Sequence, residues 1–243
     1  MPAGPSTSGA AGGSCRSCCS GAQVTSSVGL APRPWKWLLW AALVSLSAWY
    51  LYDNVIYAFL RDRSGETPGR TLSRFAHLLV AVPLLLIAPL QFSRRVRMRW
   101  PRWHRRAGQA YLISAMAGAL LAVHLGVTIR YEGSRIPLAL FGVVWLGFSI
   151  AAWLCARQRD FIAHERFMIR GYVLAMAFVW VRVMYDFQHE MFPFIRNVDV
   201  RDATREWLSF VAPLLIVETW LSWWPALNKA RRSTVSGEKV ARP

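Results

Sequence analysis

Six apolar stretches of about 20 residues each constrain this chain more than any other feature of its sequence. A helix of that length crosses the hydrocarbon core of a bilayer, which is about 30 Å thick. The stretches fall at residues 36–58, 72–92, 107–129, 136–156, 167–188 and 207–228. Backbone amides in lipid must find partners within the chain, so such runs favour helices. We therefore predict an all-α, polytopic membrane protein with a six-helix transmembrane bundle.

The composition agrees with a membrane protein. Of the 243 residues, 54% are hydrophobic and 13 are Trp, which soluble domains rarely combine. The net charge of +16 is carried largely by arginines that cluster between the apolar runs, where they determine topology. Since no basic domain remains outside the predicted helices, we expect the lipid bilayer as a partner and no nucleic acid.

The predicted helices divide the chain into three regions. Residues 1–34 form a low-complexity segment that we expect to be a disordered tail and not a signal peptide, residues 35–228 form the six-helix domain, and residues 229–243 form a basic tail. Loops after even-numbered helices, such as "SRRVRMRWPRWHRR", and the two tails together carry about twice the positive charge of the other side. The positive-inside rule then predicts cytoplasmic N- and C-termini for a multi-pass protein of the cell (inner) membrane.

Glycines on the third and fourth predicted helices indicate close packing of these two helices. Small residues let transmembrane backbones approach one another, and such residues recur along both segments. They are Gly108, Gly118, Gly126, Gly142 and Gly147.

Four histidines are candidates for function: two lie inside predicted helices, where an ionisable group costs at least a few kcal/mol, and two lie at the cytoplasmic rim. His77 and His124 each lie about five residues from the outer ends of the second and third helices. His104 and His164 precede the third and fifth helices, which both start from the cytoplasmic side. On antiparallel helices this spacing predicts an outer and an inner pair of imidazoles, each at a matched level.

Facing histidines on packed transmembrane helices are what bis-imidazole ligation of haem requires. Arg182 is a candidate to receive a propionate through charge-assisted hydrogen bonds. One hypothesis is therefore a membrane electron-transfer protein with haem b as its cofactor. The alternative is structural: His104 and His164 would orient helix starts at the headgroup level, and His77 would bond across to a Ser or Thr of a neighbouring helix.

Glu218 lies at mid-depth in the last apolar run, within "LLIVETWL". Arg182 on the neighbouring predicted helix is its candidate partner, displaced by about 8 Å in depth. Such an intramembrane polar pair is either a structural ion pair or part of a solute path, so a transporter-like protein is a second hypothesis. A non-catalytic protein that acts through partners is the third.

The remaining motifs give little information about function. The "CRSCC" segment, with Cys15, Cys18 and Cys19, has a lone C-x-x-C spacing and fits a disordered or lipidated tail. The sequence contains no P-loop, dinucleotide-binding glycine pattern, GxSxG or HExxH motif, and we expect no metal site. These absences disfavour an enzyme.

Three motifs resemble a known family. They are "PLQF" after the second helix, "HRRAGQAY" opening the third and "HERFMIRGY" opening the fifth, with Arg182 further along. Over residues 72–185 the chain resembles predicted multi-pass membrane proteins with a domain of unknown function. The matching residues are His77, Gln91, His104, Arg105, Gly108, Tyr111, His164, Met168, Arg170 and Arg182. Ala88 and Phe167 depart from the pattern, and His124 lies outside it. The resemblance implies a membrane protein and supplies no reaction.

Overall fold

The structure, a computed structural model, describes residues 34–60 and 67–229, and at 34–37, 39, 54–59 and 86 it describes the backbone alone. This part of the chain is helical and contains no strand. The helices are α1 (Pro34–Leu60), α2 (Pro68–Gln91), α3 (Arg94–Arg99), α4 (Pro101–Val127), α5 (Glu132–Arg157), α6 (Phe161–Ala175), α7 (Ala177–Asp186), α8 (Gln188–Met191) and α9 (Val198–Glu218). A π-helical turn at Thr219–Trp223 continues α9.

Five helical segments among the described residues are long and apolar enough to cross a membrane. They are Pro68–Gln91, Pro101–Val127, Glu132–Arg157, Phe161–Asp186 and Val198–Lys229. These correspond to the second to sixth predicted spans, so the predicted all-α membrane fold is confirmed. The first predicted span falls within α1, a 27-residue helix that is not counted among these five. Six crossings and cytoplasmic termini therefore stay predictions.

The terminal regions of the prediction are not described by the structure. Residues 1–33, which include Cys15, Cys18 and Cys19, and residues 230–243 lie outside the described residues. Cys155, near the end of α5, is a partly buried free thiol.

The last helix begins earlier than its apolar run predicts. α9 starts at Val198, and the predicted span starts at residue 207. The Asn197 side chain caps this start, because its Oδ1 accepts from the backbone amides of Asp199 at 2.9 Å and Val200 at 3.2 Å. Consequently the charged turns before residue 207, including Glu206, belong to the helix.

The boundary between α3 and α4 follows from "RWPR". Pro101 lacks an amide hydrogen and disfavours helical geometry in the residue before it. Trp100 accordingly leaves the helical region, with φ −131° and ψ 66°, and Pro101 occupies the first turn of α4. α3 is thus a separate short helix that joins α2 to α4.

Glycines set the closest contact between α4 and α5. A Cβ added to Gly142 would lie 2.6 Å from Val123 Cγ2 and 2.9 Å from Val123 N, and one added to Gly126 would lie 2.8 Å from Ala139 N. The two backbones therefore touch where only glycine fits, as the small residues of the sequence predict. Gly147 differs, because a Cβ there would meet nothing within 4 Å.

Side chains at two levels attach α1 to the other helices. The Tyr50 hydroxyl donates to Asp186 Oδ2 at 2.6 Å, which ties α1 to the end of α7. Nearer the start of α1, Trp40 stacks on Phe92 with ring centroids 6.0 Å apart. These contacts place α1 beside α2 and α7.

Candidate functional site

A cavity of about 200 Å³ lies inside the bundle, bounded mainly by α2, α5, α7 and α9. Its walls are almost entirely apolar, with side chains from Leu78, Ala81, Leu84, Leu85, Ala122, Leu138, Phe141, Ala175, Ala177, Phe178, Val181 and Phe210. Four lining residues carry polar side-chain groups: His77, Trp145, Glu206 and Ser209. Small apolar cavities with a few convergent polar groups are typical of ligand sites.

A hydrogen bond to the backbone of α4 fixes the tautomer of the His77 ring. Its Nδ1 lies 3.1 Å from the carbonyl oxygen of Gly118 on α4, so Nδ1 carries the proton and donates. The neutral imidazole then keeps Nε2 as an acceptor. His77 therefore brings an oriented acceptor to the cavity wall. It does bond across to another helix, but its partner is a backbone carbonyl and not the Ser or Thr side chain expected from the sequence.

Glu206 lies at nearly the same depth as His77, since each is about 13 Å along its helix from the same end of the bundle. Its carboxyl group is hydrogen-bonded to the Ser134 side chain on α5. The other oxygen, Oε2, is buried and has no hydrogen-bond partner within the described chain. A carboxyl group with one uncommitted oxygen thus lines the cavity.

Trp145 contributes a donor. Its side chain is only 4% exposed, and no described residue accepts a hydrogen bond from its buried Nε1–H. Gly118 makes room for the indole, since a Cβ at that position would lie 3.3 Å from Trp145 Cη2. The cavity is therefore lined by an acceptor, a carboxyl group and a donor that belong to three different helices.

His124 does not join His77, although the sequence predicts that they face one another. The His77 ring bonds to Gly118, whereas His124 is exposed in the last turn of α4. Six residues separate Gly118 from His124, which turns the side chain by about 240° around the helix axis. Matching depth alone therefore misplaces the outer pair.

His104 and His164 are brought together at the arginine-rich end of the bundle, which we define as the segments 94–106 and 157–170. The two imidazoles are close enough to interact electrostatically. His164 Nδ1 donates to the carbonyl oxygen of Ala152 at 2.8 Å, which leaves Nε2 as the ring nitrogen outside this bond. His104 Nδ1 is buried without a hydrogen-bond partner among residues that the structure describes.

The family motifs meet beside this histidine pair. His104, Gly108 and Tyr111 follow one stripe of α4, and Gln91 at the end of α2 packs on Gly108, where an added Cβ would lie 3.2 Å from Gln91 Oε1. Gln91 Nε2 and the Tyr111 hydroxyl are both buried and find no partner in the described part of the protein. The motifs "PLQF" and "HRRAGQAY" thus form one helix contact with uncommitted polar groups.

Glu218 pairs with a different arginine from the one that the sequence suggests. Arg170 Nε donates to Glu218 Oε2 at 2.8 Å and Arg170 Nη2 donates to Oε1 at 2.9 Å. Ser222, within the π-helical turn, donates to the same Oε1 at 2.8 Å. Arg182 is twelve residues beyond Arg170, or about 18 Å of helix, so it is at another level. It lies instead near Tyr50, with which it interacts electrostatically.

Sequence reasoning missed Glu206 and Trp145. Glu206 precedes the predicted sixth span, because a search for apolar runs excludes the charged turns that begin a helix. The Asn197 cap was the signal that could have extended the helix to include it. The signal for Trp145 was its position near the middle of the predicted span 136–156, away from the helix ends where interfacial tryptophans are expected.

The fold and these sites define a polytopic α-helical membrane protein with an internal cavity and an arginine-rich end. The profile of the family described as "Predicted membrane protein (DUF2306)" matches residues 74–221. The chain belongs to this family, so the resemblance seen in the sequence is confirmed. α1 precedes the matched region, whereas His77, Trp145, Glu206 and Glu218 lie within it.

A curated relative gives a second comparison. The chain is similar to "Ava biosynthesis cluster protein G" of Aspergillus versicolor, with 24% identity over 130 residues. The match covers 47% of this chain and 38% of the relative, so the chain spans well under half of that protein. No solved structure matches the chain.

Proposed function

We propose that this chain is a transporter-like membrane protein that binds a small apolar molecule with one hydroxyl group in the cavity of the bundle. The observation that supports this function is that His77, Trp145 and Glu206, together with Ser209, line a cavity whose wall is otherwise apolar. Binding of a solute inside the helices, without a catalytic motif, fits a carrier or a binding protein better than an enzyme.

The size of the cavity limits the ligand. An apolar cavity of about 150 Å³ accommodates benzene, so about 200 Å³ accommodates a molecule of about ten non-hydrogen atoms. A hydroxyl group both accepts and donates, so one such group accepts from the Trp145 indole and donates to His77 Nε2 or Glu206 Oε2. A buried polar group without a hydrogen-bond partner costs about 1–3 kcal/mol of free energy, which favours a hydroxylated ligand over a hydrocarbon of the same shape.

Thymol and p-cymene are a matched pair of probes, because they share one carbon skeleton and only thymol carries a hydroxyl group. Equilibrium dialysis of the purified protein in detergent, with empty micelles as the reference, measures the uptake of each. We expect one thymol per chain above the micelle background and about tenfold weaker uptake of p-cymene, the consequence of one unmade buried hydrogen bond.

Two alanine variants on α4 test whether the cavity is the site. Ala122 lines the cavity and Ala110 is exposed on the same helix. Ala122→Leu fills the space and should abolish the excess uptake, whereas Ala110→Leu should leave it unchanged. Equal uptake by the wild type and Ala122→Leu would contradict the proposal.

The histidine pair at the arginine-rich end favours a second candidate function, haem-based electron transfer. The donation from His164 Nδ1 to Ala152 fixes the ring and leaves Nε2 as the atom that would bind a metal, as in ligating histidines generally. His104, whose buried Nδ1 has no described partner, would be the opposite ligand. Haem b would supply one-electron chemistry at this site.

An absorption spectrum of the purified protein, oxidised and then reduced with dithionite, tests this candidate. A Soret band and split visible bands on reduction, lost in His104→Ala and in His164→Ala, would support it. His77→Ala is the matched control and should keep the bands, because His77 lies near the other end of the bundle. A flat visible spectrum after growth with added haem precursor would contradict it.

We also propose that the chain crosses the cell (inner) membrane six times with both termini in the cytoplasm. The arginine-rich segments after α2 and after α5 lie at one end of the bundle, which supports an inside location for that end. Two separate C-terminal fusions test the orientation. Green fluorescent protein fused to the C-terminus should fluoresce, and alkaline phosphatase fused there should be inactive. The reverse result would contradict this orientation.

A further inference from the structure

A groove lies at the junction of α3 and α4, separate from the internal cavity. It encloses about 670 Å³ and is lined by Leu90, Val96, Trp100 and Pro101, with Arg99 and Arg102 among its lining residues. The groove is thus apolar over most of its wall and carries two cations.

The proline break creates this shape. Because α3 ends at Arg99 and α4 restarts at Pro101, the chain changes direction at Trp100 and the two helices diverge. Leu90, near the end of α2, closes the apolar side. The backbone break at Trp100 therefore positions the groove, and the side chains of Arg99, Trp100 and Arg102 complete its lining.

The charge around the groove has one sign. The segment "RRVRMRWPRWHRR", residues 94–106, contains seven arginines and no acidic residue. The Arg99 guanidinium lies 5.9 Å from the centroid of the exposed Trp100 ring, so a cation and an interfacial aromatic group share one edge. Guanidinium groups bind phosphate through paired hydrogen bonds, and tryptophan favours the headgroup level of a membrane.

We propose that this groove binds the headgroup of an anionic phospholipid. Arg99 and Arg102 would hold the phosphate, and the apolar wall would contact the glycerol and the first carbons of the acyl chains. The position of the groove at the end of two membrane-spanning helices, α2 and α4, places it where lipid headgroups are found. This proposal does not depend on the ligand of the internal cavity.

Native mass spectrometry of the full chain in detergent, with dioleoyl phosphatidylglycerol and dioleoyl phosphatidylcholine in equal amounts, tests the proposal. We expect retained phosphatidylglycerol to exceed phosphatidylcholine about tenfold, since each arginine near the surface adds to the attraction for an anionic lipid. The double variant Arg99→Gln/Arg102→Gln should reduce this ratio to near one.

Arg94→Gln/Arg95→Gln is the matched control, because it removes the same charge from α3 outside the groove. It should keep the preference for phosphatidylglycerol, and unchanged melting temperatures would show that both variants fold. Equal loss of preference in the two double variants would overturn the proposal in favour of general charge attraction. Displacement of the lipid by millimolar inorganic phosphate would overturn it in favour of a free phosphate site.

Discussion

Arg170 and Glu218 form a bidentate ion pair between α6 and the last turn of α9, with N to O distances of 2.8 and 2.9 Å. The pair lies directly before the π-helical turn, and Ser222 of that turn bonds to both members, accepting from Arg170 Nη2 at 3.2 Å. π-helical turns are often found at functional sites. The ion pair therefore links a family-motif arginine to a local irregularity in the last membrane helix.

Arg170→Ala should destabilise the protein by about 1–3 kcal/mol, because it leaves the Glu218 carboxylate in the membrane region without its hydrogen-bond donor and cation. The lower part of this range applies, since the Glu218 side chain is 32% exposed. Arg170→Lys should recover only part of the loss, because lysine cannot make both bonds at once. Thermal unfolding in detergent measures both effects.

A double-mutant cycle with Glu218→Gln provides the control for this ion pair. The two substitutions should be non-additive, since either one alone removes the same interaction. Arg166→Ala, which removes an exposed arginine from the same helix, should have little effect. Strict additivity of Arg170→Ala and Glu218→Gln would show that the pair contributes no coupling energy.

Gly142→Ala should destabilise the bundle by about 1–3 kcal/mol, the usual effect of overpacking. The new methyl group would meet Val123 N at 2.9 Å and Ala119 O at 3.0 Å, and these backbone atoms cannot rotate away. Gly147→Ala on the same helix is the control, and should stabilise by about 1 kcal/mol because space is free and alanine favours the helix. Melting temperatures of the two variants should move in opposite directions.

Tyr50→Phe should lower stability by about 1 kcal/mol, since it deletes the donor to Asp186 and keeps the ring. Tyr52 lies on the same helix and is 66% exposed, so Tyr52→Phe should have no measurable effect. Urea titration followed by the fluorescence of the tryptophans measures the difference. Indistinguishable midpoints for the two variants would mean that the hydrogen bond does not attach α1.

Trp145→Phe should weaken thymol uptake about tenfold and leave p-cymene uptake nearly unchanged. The substitution removes the indole donor and keeps an aromatic ring on the cavity wall, so only the hydroxyl group loses a partner. The same dialysis measurement applies. An equal loss of thymol and p-cymene uptake would indicate that Trp145 shapes the cavity and does not recognise the hydroxyl group of thymol.

Much of the fold was predictable because a bilayer requires long apolar runs, and these runs are visible without knowledge of packing. His77 was predictable for the same reason, since a histidine within such a run is conspicuous. Glu206 was missed because it lies in the polar first turns of α9, which a hydropathy pattern does not assign to the membrane. Depth was readable from residue counts, and His104 and His164 do come together.

Rotation about the helix axis was not predictable from residue counts. This is why His124 is exposed instead of facing His77. Glu218 pairs with Arg170 instead of Arg182 for a different reason, because Arg182 lies about 18 Å further along its helix, at another level. Contacts between helices depend on which face each helix presents, and this is decided by close contacts such as those at Gly118 and Gly142. Spacing along one helix carries too little information to fix its neighbours.

The hydrogen bond between Tyr50 and Asp186 also determines when α1 and α7 can come into contact during synthesis. The two residues are separated by 136 positions in the sequence, and α1 is synthesised long before α7 leaves the ribosome. The contact between α1 and α7 therefore cannot form until four later membrane-spanning segments, the last of them Phe161–Asp186, have been made. The attachment of α1 to α7 is necessarily a late step of biogenesis, and the order of translation is not the order in which the helices acquire their final neighbours.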